Sequence, residues 1–142
     1  MKSAWRTLLA VVAGMALAFA LVVAVEFFSS VVHPFPANFD GNIPQHVRRY
    51  PHWVLGVVVL MWGATAAAAT WVASRIGGRL AGALVTLLLA SALAFNLSML
   101  PYVMWFKIAM PAAFFVACLL GIRHGRRVPS PAAVTDAALR SH

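Results

Sequence analysis

Residues 53–100 read WVLGVVVLMWGATAAAATWVASRIGGRLAGALVTLLLASALAFNLSML: two long apolar runs either side of the short break Ser74-Arg75-Ile76-Gly77-Gly78-Arg79. Arg75 and Arg79 are the only charged residues in the stretch. Each run is about 21 residues, or ~31 Å as an α-helix, which matches the hydrocarbon thickness of a bilayer. The glycine-rich break has room only for a tight turn, so the spacing predicts an antiparallel helical hairpin.

Working outward, the pattern repeats. Thr7 to Phe28 is apolar apart from Glu26, and Tyr102 to Ile122 is apolar apart from Lys107, with Pro111 inside it. Backbone polar groups surrounded by lipid must be satisfied within their own segment, so each run reads as a helix. The expected fold is all-α: a four-transmembrane-helix antiparallel bundle over 7–122, with helices at 7–28, 53–73, 80–100 and 102–122. Residues 1–6 precede it, and a basic, Pro/Ala/Ser-rich tail expected to be disordered, 123–142, follows. Pro101 marks a very short turn between the last two helices, whereas residues 29–52 form a long loop. That loop contains Pro34, Pro36, Pro44 and Pro51 and the turn signal Asp40-Gly41-Asn42. No internal repeat is present.

Composition agrees. The chain is 63% hydrophobic and only 10% charged, with a mean hydropathy of +0.87, whereas soluble domains are about half apolar and about a quarter charged. The net charge of +8 lies in residues flanking apolar runs, which suits a bilayer with anionic headgroups and not nucleic acid. Arg123, Arg126 and Arg127 are the headgroup candidates. Cys118 is the sole cysteine and lies within an apolar run, so neither an intramolecular disulfide nor a Cys-based metal motif is available.

The positive-inside rule sets the expected orientation. Lys2, Arg6, Arg75, Arg79, Arg123, Arg126, Arg127 and Arg140 fall on one side, and only Arg48, Arg49 and Lys107 on the other. Both termini are therefore expected in the cytoplasm of a bacterial inner membrane. Trp5 and Trp71 would mark the inner interface, and Tyr50, Trp53, Tyr102 and Trp105 the outer one. Ala18-Phe19-Ala20 offers a signal-peptide cleavage pattern, but the apolar run continues past it and is too long for a signal core.

The polar residues of this bundle gather at its outer end. Glu26 is expected ~3 Å inside the end of the first helix, Asn96 ~6 Å inside the third and Lys107 ~7–8 Å inside the fourth. Pro111 lacks an N–H and frees the carbonyl of Lys107, so a kink is expected there. A charge at this depth needs a partner or a route to water, which makes Glu26 and Lys107 candidate mutual partners. The layer is either a site for a proton, ion or small ligand titrating at Glu26, or a structural pair with Asn96 as interhelical glue. The sequon Asn96-Leu97-Ser98 lies inside an apolar run and is discounted.

His33, His46 and His52, with Asp40, are candidate metal ligands in the loop, although their spacing matches no tight metal motif. Asp40-Gly41 also suits a turn without any ligand. Small residues recur at Ala10, Gly14 and Ala18, at Gly63 and Ala66 to Ala69, and at Gly78-x-x-x-Gly82. They fit close packing within the bundle or between protomers equally well. No nucleophile–base pair, phosphate-cradling loop or haem motif appears, and no pattern requires a cofactor.

The runs Val25-Glu26-Phe27-Phe28-Ser29-Ser30-Val31-Val32-His33-Pro34-Phe35-Pro36 and Leu97-Ser98-Met99-Leu100-Pro101-Tyr102, with Trp105-Phe106-Lys107, resemble small bacterial four-helix membrane proteins of uncharacterised function. The resemblance spans residues 7–122 and implies the fold but no activity. Small multidrug-resistance transporters also have four helices and a glutamate on the first. In that family the glutamate lies near the membrane middle, whereas Glu26 lies near the end of its helix. The expectation is thus a non-enzymatic membrane component or accessory subunit, as a homo-oligomer or within a larger membrane complex. The alternatives are a small proton- or ion-coupled transporter using Glu26 and Lys107, and a metal- or quinone-handling membrane enzyme.

Overall fold

The computed structural model describes residues 2–37 and 39–125. Its elements are α1 (Lys2–Val32), α2 (Ile43–Arg48), α3 (His52–Gly77), α4 (Arg79–Met99) and α5 (Met104–His124). All but α2 are long and apolar enough to cross a membrane. The surface they share is studded with large apolar side chains: Leu8, Val12, Phe19 and Val23 on α1, Leu60 on α3, Leu87 and Phe95 on α4, Ile108 and Leu119 on α5. Soluble proteins do not expose apolar surface on this scale, whereas lipid accepts it at no cost. The chain is an all-α, multi-pass membrane protein.

α3 is the hub. It packs against α1, α4 and α5, and α4 in turn touches α1 and α5, but α1 and α5 do not meet. The helices therefore form a rhombus with α3 and α4 on its short diagonal and α1 and α5 at the far corners. One end carries the α3–α4 turn, the start of α1 and the end of α5 (the termini end). The other carries residues 33–51 and the α4–α5 link (the loop end).

The termini end is closed by small residues. A Cβ on Gly14 of α1 would sit 2.9 Å from the Ala69 carbonyl and 3.1 Å from Ala73 Cβ on α3. One on Gly121 of α5 would collide with Thr70 Oγ1 and lie 2.5 Å from the Ala67 carbonyl. Ala10 and Ala18 are fully buried on the same stripe, so the small-residue spacing of α1 serves packing inside the bundle. Dispersion contacts between close backbones are the main attraction available to helices in lipid. Gly78, at φ 80, makes the turn from α3 to α4. Arg6 Nε donates to the Ile76 carbonyl at 2.6 Å, which satisfies one free carbonyl at the end of α3 and ties α1 to it. Several hydroxyls inside the spans bond back to their own helix, as Thr70 does to Ala66 O at 2.7 Å and Thr65 to Met61 O at 2.9 Å, whereas Ser74 Oγ is buried without a partner.

Several boundaries differ from the sequence reading. α1 runs to Val32 instead of Phe28, and α5 begins at Met104 instead of Tyr102. Pro101 disfavours helical geometry at Leu100, which is extended (φ −108, ψ 137). Val103 is extended as well (φ −63, ψ 149), so the link is longer than a single turn. Pro111 lies inside α5, which continues through it as one helix. The segment 29–52 is not all loop, because it contains α2. Arg123 is exposed at the end of α5; Arg126, Arg127, Arg140 and the tail from 126 onward lie outside the described residues.

A roofed cavity at the loop end: the candidate functional site

The roof is built from a capped turn. Asp40 Oδ1 accepts from the Asn42 N–H at 3.0 Å, and Asn42 Oδ1 accepts from the Gln45 N–H at 3.1 Å. Asn42 is thus an N-cap, and Pro44 fits the first turn, where its missing N–H costs nothing. Gly41, at φ 83, supplies the left-handed residue the approach to α2 requires. So started, α2 turns His46 and Val47 inward, where both are buried.

Rings then stack across the mouth of the bundle. His46 lies face to face with Phe35 (centroids 4.4 Å, 30°) and with His33 (4.4 Å, 24°), and His33 lies 4.5 Å from Tyr50. His33 Nε2 is buried without a hydrogen-bond partner. Beneath this roof lies a cavity of about 190 Å³, walled by Glu26 and Ser29 of α1, Tyr50, Trp62 of α3, Asn96 of α4 and Tyr102. A second, outer cleft of about 210 Å³ holds Asp40, Asn42 and Arg49. His46 borders both spaces and divides them.

The electrostatics centre on Glu26. It is exposed, while Val25 and Ser29 beside it are buried, so its carboxylate stands at the cavity rim. Burial and then the Glu26 charge push the Tyr102 phenol up to about 12. The same two causes raise Tyr50, with the neighbouring Ser29 hydroxyl acting in the opposite direction. Two phenols on different walls therefore respond to one carboxylate. His46 is lowered from the ordinary imidazole range, first by burial and then by the charge of His33, with a smaller push from Arg49. Among the described residues no Lys or Arg lines the cavity.

No family model, curated protein or solved structure matches this chain. The geometry of the cavity alone therefore carries the functional reading.

Of the residues singled out from sequence, Glu26 and Asn96 share the cavity and Lys107 does not. Lys107 is half-buried in the first turn of α5, on a helix that α1 never touches. The expected Glu26–Lys107 pairing is not made: the depths match, but α3 and α4 occupy the space between the two corners of the rhombus. Among the candidate metal ligands, His33 and His46 meet as stacked rings, Asp40 lines the outer cleft, and His52 packs edge-on against Trp105 at 6.0 Å. Among the described residues no three His, Cys, Asp or Glu side chains converge as a metal site. Sequence reading missed Trp62, Ser29 and the inward role of both tyrosines. Tyr50 and Tyr102 look like interfacial anchors, yet they are part-buried on the cavity wall, whereas Trp5, Trp53, Trp71 and Trp105 are exposed. Asn42-x-x-Gln45 with Pro44 was the available signal for α2.

Proposed function

We propose that this chain is a non-enzymatic multi-pass component of a bacterial inner membrane, both termini cytoplasmic, whose loop-end cavity holds a ligand presented from the outer face. The observation that carries this reading is the roofed cavity itself. Its polar groups come from α1, α3, α4 and the two links, and one carboxylate stands at its rim with no Lys or Arg on the wall among the described residues. An ionisable side chain within a membrane bundle is a functional-site candidate by default. The excess of Lys and Arg at the termini end supports the orientation.

Native mass spectrometry of the full chain, gently extracted from its own membrane, tests the proposal. A bound mass carried by the wild type and lost in Glu26→Gln supports it. Unrelated subunits co-purifying in fixed ratio support the accessory-subunit form of the same role. A bare chain with neither would overturn it. A second reading, a small proton- or ion-coupled transporter, draws on the unneutralised Glu26; it no longer includes Lys107. It requires Glu26→Gln to abolish coupled uptake with the melting temperature unchanged. A metal- or quinone-handling enzyme has less support, since only two of its four candidate ligands share the roof.

A further inference from the structure

We infer that the loop-end cavity is a binding site for an organic ammonium group, held by the Glu26 carboxylate against the rings of Trp62, Tyr50 and Tyr102. The inference rests on the reading of this cavity as a ligand site and specifies the ligand's chemistry.

Charge sets the sign. Among the described residues the rim carries a carboxylate and the wall no Lys or Arg, so an anionic ligand would meet a like charge with no cation to offset it. A cation would supply the partner that Lys107, two helices away, does not. The wall sets the kind of cation. Trp62, Tyr50 and Tyr102 line the cavity, and the negative faces of such rings attract weakly hydrated cations. A small hard ion such as Ca²⁺ needs six to eight oxygen ligands. One carboxylate with Asn96, Ser29 and two phenols is a poor replacement for that shell, but it suffices for an ammonium whose remaining surface is carbon. Size agrees: about 190 Å³ is below the ~300–1,000 Å³ of drug-sized sites and suits a headgroup. His46, the roof imidazole that lines the cavity, stays neutral to lower pH than a free imidazole, so it adds no competing positive charge there.

Two sources present this chemistry, a lipid amine headgroup and a free amine in the outer aqueous space. The full chain, in lipid nanodiscs of phosphatidylglycerol, is titrated with tetramethylammonium chloride against sodium chloride of equal ionic strength, following tryptophan fluorescence. A saturable change is expected for tetramethylammonium alone. It should vanish in Trp62→Phe, which removes the reporter, and its midpoint should rise at least ~10-fold in Glu26→Gln. Tyr102→Phe should bind like wild type and Tyr102→Leu several-fold more weakly, a contrast that follows the ring and not the hydroxyl. The leucine variant also covers the case in which Glu26→Gln does not fold. Replacing the nanodisc lipid with phosphatidylethanolamine separates the sources: a weaker apparent affinity identifies the headgroup, an unchanged one the free amine. No saturable response above sodium chloride overturns the inference, as does an equal response in Glu26→Gln. If tetramethylammonium fails while native mass spectrometry retains a mass lost in Glu26→Gln, the ammonium assignment falls and the ligand site stands. If both fail, both readings fall.

Discussion

At the termini end, the helices approach until backbone meets backbone; at the loop end they stand apart and the space between them is covered, not filled. α3 shows both regimes along its length. Ala69, Ala73 and Gly77 of its second half lie against α1, with Ala67 and Thr70 against α5, whereas Leu55, Val58 and Trp62 of its first half border a cavity. Small side chains gain dispersion energy by close approach, and the space that half leaves beside Ala67, Ala68, Trp71 and Gly121, about 290 Å³, is an open groove on the outside of the bundle and is not roofed. Large rings with polar tips cannot close as tightly, and the gap they leave is lined by the groups that read chemistry. In this bundle close packing and the proposed ligand site occupy opposite ends of the same helices.

The strongest way to break the contrast is to add one methyl group to the tight end. Gly121→Ala puts a Cβ against Thr70 Oγ1 and the backbone of Ala67, and backbone cannot give way cheaply. A loss of about 1–3 kcal/mol is expected, read from reversible unfolding in mixed micelles. Gly56→Ala, on the same α3 that Gly121 meets but toward the loop end, finds nothing within 4 Å of the new Cβ and should stay within about 0.5 kcal/mol of wild type. Equal losses at the two sites would remove the distinction between the ends.

A smaller and more local effect should come from the roof. Asn42→Ala deletes the cap that starts α2, at a cost of roughly 0.5–2 kcal/mol. Because α2 joins no tight helix contact, the loss should appear as faster amide exchange over residues 43–49 with the global unfolding midpoint unmoved. A shifted midpoint would mean that roof and bundle fold as one unit.

The same contrast explains what sequence could and could not disclose. The four spans were legible because a bilayer imposes a length and forbids charge, and both leave marks in a linear string. The fate of the small residues was half legible: Ala10, Gly14 and Ala18 declare a close contact but not the partner, which α3 supplies. The cavity was harder, since it depends on which helices are neighbours. Glu26, Asn96 and Lys107 fall in one layer by counting, but only helix order shows that Asn96 faces the cavity and Lys107 lies across the rhombus. Tyr50 and Tyr102 carry a signature shared by interfacial anchors and cavity walls, and rotation about the chain decides between the two. Of the loop histidines, His46 owes its inward position to the Asn42 cap, a local signal, and His33 to the stack that His46 begins.

The smallest expected effect concerns pH, and it acts on one end only. His46 is held below the ordinary imidazole range by burial first and then by the charge of His33, with a hydrogen bond to the His33 backbone opposing them and Arg49 adding a smaller push down. The ring is therefore neutral in the closed roof and takes up a proton more readily once the roof opens. Closure is fully favoured above about pH 6.5, the open-state value, and weakens as pH falls below it, because the open form then binds more protons. The other ionisable groups that border His46 are His33 and Tyr50 in the stack, Asp40 and Arg49 in the outer cleft, and Glu26 and Tyr102 across the cavity. His46→Phe keeps a ring in the stack while removing the His46 imidazole, so it isolates the His46 contribution. Amide exchange over 43–49 should quicken between pH 7.5 and 5.5 beyond its intrinsic pH dependence in the wild type, and less so in His46→Phe. Exchange along α3 from Ala66 to Ala73, where no group titrates, should follow the intrinsic dependence in both. An acid response shared by the two ends would place its origin in the whole bundle and not in the roof.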